Sequence, residues 1–194
     1  MSRRSDQRAA TRAGILQVAA EEFEAHGYVG ASLSDIAERL GLTKGALYFH
    51  YPSKGDIARA IVSDYFNSWE PLVKAAEERG NGPLEAIRWL TGQVAVAYRD
   101  DIHIRAAVRL VRDRASIDVE LPTPFVDWIK TSRYFLDKAA AIGEIRSDLD
   151  LDRVTLIAVA SWFGVQQVSQ DLDARDSLED FTESLWDLLL HGMA

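Results

Sequence analysis

The segment from Ser32 to Tyr51, SLSDIAERLGLTKGALYFHY, contains two short amphipathic helices with a glycine between them. In the first helix, apolar residues recur at spacings of three and four until Gly41, and Ser32 is placed to cap its start. Thr43 is placed to cap the second helix, and Gly41 permits the sharp turn between the two. The segment therefore predicts a helix-turn-helix.

The second helix of this motif carries residues that suit contact with nucleic acid. Lys44 supplies a charge and a donor, Gly45 allows close approach to a groove, and Tyr48 can donate its hydroxyl to a phosphate. The same two helices could belong to an ordinary bundle, but exposed aromatics beside a cation are unfavourable unless they meet a partner. We therefore expect Tyr48, His50 and Tyr51 on the solvent side. The predicted DNA-binding residues are Ser32, Thr43, Lys44, Gly45, Tyr48, His50, Tyr51 and Lys54.

The distribution of charge supports this prediction. The 194 residues carry a formal net charge of −8, which by itself argues against a nucleic-acid partner. Residues 1–60, however, hold 8 of the 22 Lys and Arg and 7 of the 30 Asp and Glu, so they carry +1 and the remainder carries −9. A small basic face on a weakly charged domain is typical of a DNA reader, although solvated surface charges could give the same pattern. The basic residues concerned are Arg3, Arg4, Arg8, Arg12, Lys44 and Lys54.

Helical periodicity continues through almost the whole chain, and no alternating strand pattern occurs. We predict an all-α fold of about nine helices, with an N-terminal three-helix head joined by a long helix to a C-terminal bundle. The first helix stops at Gly27, and the long helix runs from Ser53 to about Arg79. Further helices are predicted at 84–98, 102–114, 124–142, 153–170 and 178–191, with Asp152 and Ser177 capping the last two. Residues 1–52 would bind DNA, and residues 53–194 would bind a ligand and dimerise.

Composition and missing motifs exclude several classes of protein. The chain contains no cysteine, which excludes disulfides, thiolate metal sites and cysteine catalysis. It contains no catalytic motif, metal-ligand spacing or glycine-rich phosphate loop, so we expect neither an enzyme nor a cofactor, with a helical-bundle enzyme as the alternative. No signal peptide and no apolar run of membrane-spanning length occurs, which predicts a cytoplasmic protein without a membrane partner.

The second helix of the motif, from Thr43 to Tyr51, resembles the recognition helices of the tetracycline-repressor (TetR) family. Other segments are similar to the γ-butyrolactone receptor subgroup of that family: RAAVRL at 105–110, LPTPFVDW at 121–128, FGVQ at 163–166 and the late Trp186. The resemblance implies a homodimeric repressor that binds a near-palindromic operator in double-stranded DNA. A small hydrophobic signal of the lactone type would enter the bundle and release the DNA. The alternative within the family is an efflux regulator that senses hydrophobic drugs.

The resemblance also implies a ligand pocket, because a tryptophan at the position of Trp128 lines the pocket in that subgroup. Aromatic residues on other predicted helices could share the cavity or could simply be core residues. Trp162 stands where we expect a smaller or hydroxylated residue in relatives, so it would narrow the pocket or remove a hydrogen bond. The predicted ligand-binding residues are Trp128, Tyr65, Trp69, Trp89, Trp162, Phe163 and Gln166.

The last two predicted helices combine small residues with leucines, a pattern that suits close helix packing. We expect a four-helix dimer interface there, with burial inside one subunit as the alternative. Two heads spaced one turn of DNA apart would multiply the contacts of a single short helix. The residues concerned are Ala158, Ala160, Ser161, Gly164, Leu178, Leu185, Leu188 and Leu189.

Overall fold

The computed structural model describes residues 3–123 and 125–193. Over those residues the regular structure consists of ten α-helices and one short 3-10 helix, which confirms the all-α class. The predicted helix start at Pro124 and the side chains of Arg3 and Arg4 lie outside what the structure describes. The helices are α1 Arg3–Gly30, α2 Leu33–Arg39, α3 Lys44–His50, α4 Lys54–Asn67, α5 Trp69–Glu78, α6 Pro83–Asp100, α7 Ile102–Arg112, α8 Val126–Ala141, α9 Leu151–Asp173 and α10 Leu178–Met193, with the 3-10 helix Asp113–Ser116 after α7.

Packing divides the chain into two compact units. The first, here called the head unit, comprises the chain up to Ser68 together with Asp101–Thr123. The second, the bundle unit, comprises Trp69–Asp100 and the chain after Thr123. The expectation that α7 belongs to the C-terminal bundle is therefore wrong, because α7 packs on α1 and α4. The functional boundary after residue 52 stays a prediction.

The head unit has a continuous apolar core that draws on helices far apart in the sequence. Phe23 of α1, Ile36 of α2 and Leu47 of α3 are fully buried in one cluster. Ile57 of α4 and Leu110 of α7 complete it. Each such side chain contributes about 1.5–3 kcal/mol by leaving water. The two short helices of the motif are thus held by the packing of α1, α4 and α7.

The predicted long helix is interrupted at Ser68, which separates α4 from α5. The amide of Ser68 still bonds to the carbonyls of Asp64 and Tyr65, so α4 ends in a regular turn. Pro71, in the first turn of α5, has no N–H to donate to the carbonyl of Asn67, and its ring would clash with that carbonyl in a continuous helix. The prediction of one long helix was wrong because it overlooked this proline.

Gly27 ends the straight part of α1, as predicted, and adopts a φ of 67°. A Cβ at this position would lie 2.8 Å from Oδ2 of Asp113, so only glycine fits. The same oxygen accepts a hydrogen bond from the amide of Tyr28 at 3.0 Å. The Tyr28 hydroxyl donates to Asp118 at 2.9 Å, and burial together with this carboxylate raises the pKa of Tyr28 to about 12. The segment after α7 therefore fastens the end of α1.

The bundle unit packs α6, α8, α9 and α10 around a second apolar cluster that includes Leu90, Phe135 and Trp186. The side chain of Asp150 caps α9 by accepting from the amides of Asp152 and Arg153, so the predicted cap at Asp152 lies two residues too late. In the part of the chain that the structure describes, no helix combines the length and the apolar character that a bilayer-spanning segment needs.

Candidate nucleic-acid interface and ligand cavity

The predicted helix-turn-helix is present as α2 and α3. The Ser32 hydroxyl accepts from the amide of Asp35 at 3.3 Å, and the Thr43 hydroxyl accepts from the amide of Ala46 at 3.1 Å. Gly41 lies between them with a φ of 64°. Both caps act as predicted from the sequence, and they fix the two helix starts within the head unit.

The outer face of α3 carries a cation and two aromatic rings. Lys44 and Gly45 are exposed, Tyr48 is 47% exposed and Phe49 is 70% exposed. Phe49 was absent from the predicted set. Helical phase could have found it, because a residue two positions after the buried Leu47 points to the opposite side of the helix. An exposed patch of this kind is typical of a binding surface.

Tyr51 lies on the other side, and the expectation that it faces solvent was wrong. It is 3% exposed, and burial raises the pKa of its hydroxyl. The guanidinium of Arg12 lies 4.2 Å from the centre of its ring. Because Tyr51 follows Leu47 by four residues, it shares the buried face.

Lys54 is engaged within the head unit, in contrast to its predicted role at a phosphate. Its Nζ donates to the carbonyl of Tyr28 at 2.6 Å and to that of Ala31 at 3.1 Å, and it lies 4.5 Å from the Tyr28 ring centre. Carbonyl groups at a helix end attract a cation, so Lys54 stabilises the last turn of α1.

His50 is half-buried at the end of α3. Its Nδ1 has no hydrogen-bond partner among the residues that the structure describes, while its carbonyl accepts from Arg12 at 2.7 Å. Ser32 is also half-buried, with its hydroxyl occupied by the cap. Of the predicted set, Thr43, Lys44, Gly45 and Tyr48 are therefore the exposed residues, and the Thr43 hydroxyl is engaged in its helix cap.

Beside this face lie two cations that have no carboxylate partner among the residues with described side chains. Arg8 lies 5.3 Å from the ring centre of Phe49. Over residues 3–123 and 125–193, neither Arg8 nor Lys44 forms an ion pair, whereas Arg39 pairs with Glu21 and Glu22. A positive, partly aromatic face on an acidic chain is suited to an anionic partner.

The bundle unit contains a cluster of aromatic rings around Trp128. The ring centres of Trp128 and Trp162 are 5.0 Å apart, those of Trp128 and Trp69 are 5.6 Å apart, and those of Trp162 and Phe163 are 5.0 Å apart. Four of the predicted ligand residues are thus brought together. Phe125 extends the cluster, with its ring centre 4.7 Å from that of Phe163.

A cavity lies against this cluster, but it is almost filled. Its free volume is about 10 Å³, near the lower limit for one water molecule. Sites for small organic ligands are typically about 300–1,000 Å³. The cavity is therefore closed to a molecule of lactone size. Its lining residues are Ile87, Thr91, Trp128, Ser132, Ala158, Val159, Trp162, Phe163, Leu185, Trp186 and Leu189.

Two buried tryptophans in this wall differ in their hydrogen bonding. The indole N–H of Trp186 donates to the Thr91 hydroxyl at 2.6 Å. The indole N–H of Trp162 has no partner among the described residues, although the side chain is only 4% exposed. One turn further along α9, Oε1 of the buried Gln166 also lacks a partner within the described chain. A buried unsatisfied polar group costs about 1–3 kcal/mol. These two groups therefore destabilise the form in which the cavity is closed.

Four predicted ligand residues do not line the cavity, and one of them, Trp69, contacts Trp128 from outside the lining. Tyr65 belongs to the head unit, where its ring packs against Phe66. The guanidinium of Arg79 lies over Trp89, 4.8 Å from the centre of the tryptophan ring. Gln166 is buried on α9 outside the lining of the cavity. Sequence reasoning missed Thr91, Ser132 and Trp186 as lining residues, because no local pattern indicates which helices pack side by side.

The last two helices of the bundle unit expose an apolar stripe. Leu172 is 72% exposed and Leu188 is 74% exposed. Ala158 and Leu178, which were expected at an interface, are buried within the unit, and Leu185 and Leu189 line the cavity. The exposed apolar and small residues of the stripe are Leu156, Ile157, Ala160, Gly164, Val168 and Leu172 of α9 and Phe181 and Leu188 of α10.

Two family profiles match the chain. One, described as bacterial regulatory proteins of the tetR family, matches residues 15–61, and the other, described as a tetracyclin repressor-like C-terminal domain, matches residues 82–194. The first match contains the helix-turn-helix, and the second contains the aromatic cavity.

Individual relatives give the same result. The A-factor receptor protein of Streptomyces griseus is 33% identical over 180 residues, which are 93% of this chain and 62% of that protein. The structure of CprB from Streptomyces coelicolor in complex with its biological operator sequence has 31% identity and a TM-score of 0.85, covering 98% of this chain and 90% of CprB. A gamma-butyrolactone receptor (ArpA-like protein) has 29% identity and a TM-score of 0.74, covering 94% and 98% of the respective chains. These similarities confirm the resemblance that the sequence motifs indicated.

Proposed function

Because the chain belongs to the tetracycline-repressor family of bacterial regulatory proteins, we propose that it is a DNA-binding transcriptional repressor that a small hydrophobic molecule releases from its operator. The observation that carries this proposal is the outer face of α3. There Lys44 and Phe49 are exposed beside Arg8, and neither cation pairs with a carboxylate in the described parts of the chain. In a chain of net charge −8, this face is suited to the phosphates of DNA.

The proposed repressor is a homodimer that binds a near-palindromic operator. The exposed stripe on α9 and α10 supports this assembly, since side chains such as Leu172 and Leu188 are unfavourable in water and suit a helix-helix interface. A two-fold dimer presents two recognition helices, whose half-sites on the DNA are related by the same symmetry.

The proposed ligand is a γ-butyrolactone or another compact hydrophobic molecule that binds at the aromatic cluster of the bundle unit. Trp128 supports this assignment, because it contacts three other aromatic side chains and lines the cavity. The ligand would bind more tightly to a form in which the two heads no longer match the half-site spacing. α4 is the proposed element that moves.

Selection of bound duplexes from a random pool tests the DNA-binding half of the proposal. We expect enrichment of two inverted half-sites about one helical turn apart. The selected complex is then challenged with γ-butyrolactones, furans and hydrophobic drugs, and an active compound should weaken binding by about 5- to 150-fold. Failure to enrich any duplex would contradict DNA binding. An enriched duplex that no compound releases would contradict only the ligand-binding half.

The nearly apolar lining of the cavity favours a second candidate within the family, a regulator that senses many hydrophobic drugs. Such a sensor would bind chemically unrelated compounds with similar affinity, and each of them would release the DNA. A response confined to lactones would contradict it.

A further inference from the structure

Trp162 is one of three tryptophans in the wall of the bundle unit's cavity. The buried indole of Trp162 lies 5.0 Å from both Trp128 and Phe163, measured between ring centres, and the cavity that the three residues line has a free volume of about 10 Å³. Removing a side chain of this size from a packed core leaves a space large enough for an aromatic ring. The room for a ring-sized ligand is thus already present, but Trp162 occupies it.

Hydrogen bonding distinguishes Trp162 from a residue that serves only to pack the core. Trp186 lines the same cavity and satisfies its indole N–H on Thr91. The N–H of Trp162 is buried without an acceptor among the residues that the structure describes, and Oε1 of Gln166 is in the same condition one turn away on α9. Buried polar groups in folded proteins are nearly always satisfied, so an unsatisfied one calls for an explanation.

We propose that Trp162 is a plug that determines which signals the protein accepts. In the ligand-free protein its indole occupies the place of a ligand ring, and a ligand enters only by turning the indole aside. The matching chemical class is a compact, mostly apolar molecule with a ring no larger than an indole. This inference rests on the proposed ligand-binding role of the bundle unit.

Cutting back the plug tests the inference. The affinity of the wild type and of Trp162→Ala for γ-decalactone, a five-membered lactone with an apolar tail, is measured by calorimetry without DNA. We expect Trp162→Ala to bind at least about tenfold more tightly, because burial of two additional methylene groups already exceeds that factor. Trp89→Ala removes an indole outside the cavity and should bind like the wild type. An affinity of Trp162→Ala equal to or below that of the wild type would overturn the plug.

Trp162→Phe keeps a ring but removes part of the volume and the N–H, so it decides the question if Trp162→Ala does not fold. It should bind γ-decalactone more tightly than the wild type by about threefold, and no gain would contradict the proposal. A second readout is the lactone concentration that releases the selected operator. It should fall in Trp162→Ala while operator affinity without lactone stays unchanged, which loosened packing alone would not produce. The calorimetry contains no DNA, so its result does not depend on whether the protein binds an operator. Failure of the plug inference and failure of the DNA-binding proposal are therefore distinguishable.

Discussion

The two units place their aromatic side chains in opposite environments. On α3 of the head unit, Tyr48 and Phe49 face solvent beside Lys44 and Arg8, which pair with no carboxylate in the described part of the chain. In the bundle unit, Trp128, Trp162 and Trp186 are enclosed in one cluster. Exposed rings next to cations suit an anionic partner at the surface, and enclosed rings suit an apolar molecule in the interior. Similar residue types thus support two different kinds of recognition.

Truncation of an enclosed ring should have the largest effect on stability. Trp186→Ala should lower the free energy of unfolding by about 3–5 kcal/mol, because it leaves a cavity and removes the donor to Thr91. Urea unfolding followed by circular dichroism measures the loss. Phe49→Ala, its counterpart on the head unit, should stay within about 0.5 kcal/mol of the wild type. Equal losses in the two variants would show that the contrast between the units is wrong.

Removal of the exposed Lys44 cation should change the affinity for DNA and not the stability of the fold. Lys44→Ala should weaken operator binding by about 1–3 kcal/mol and reduce the slope of log affinity against log salt by about 1. Titration of labelled operator at several salt concentrations measures both. Lys130→Ala makes the same change of charge in the bundle unit, where Lys130 is exposed and pairs with Asp127 at 3.6 Å, and should leave both unchanged. An unchanged slope in Lys44→Ala would place Lys44 away from the phosphates.

Two glycines differ in the space around them: Gly27 is enclosed at the end of α1 in the head unit, and Gly92 has open space beside α6 in the bundle unit. Gly27→Ala should destabilise the protein by about 1–2 kcal/mol, since the residue has a positive φ and Asp113 blocks a Cβ. Gly92 lies inside α6, and a Cβ added there meets no described atom within 4 Å apart from its chain neighbours and the nearby backbone of its own helix, so Gly92→Ala should stabilise the helix by up to about 1 kcal/mol. Thermal unfolding compares the two. A stable Gly27→Ala would show that the contact with Asp113 does not constrain the end of α1.

Local features of the structure followed from the sequence, because their causes are local. The caps at Ser32 and Thr43 and the turn at Gly41 depend on residues within one or two turns of each other. Helix phase would also have separated Phe49 from Tyr51, had it been counted from the buried Leu47. These are matters of spacing, which the sequence contains in full.

Other features depend on partners that the sequence does not identify. Lys54 meets carbonyls at the end of α1, and the indole N–H of Trp186 meets Thr91 nearly a hundred residues away. No pattern around residue 102 indicates that α7 packs in the head unit. The closed cavity likewise depends on the simultaneous positions of Trp128 and Trp162, which only packing decides. The ligand-binding residues were therefore harder to predict than the DNA-binding ones.

The interrupted course of the head unit has a consequence for synthesis of the chain. Its core includes Leu110 of α7, and the Tyr28 hydroxyl donates to Asp118. Residues up to Ser68 therefore lack part of their packing when they leave the ribosome. About fifty further residues, including all of α5 and α6, must follow before that packing is complete. The helix-turn-helix should therefore reach its final stability only after α5 and α6 of the bundle unit have been made, and before α8, α9 and α10.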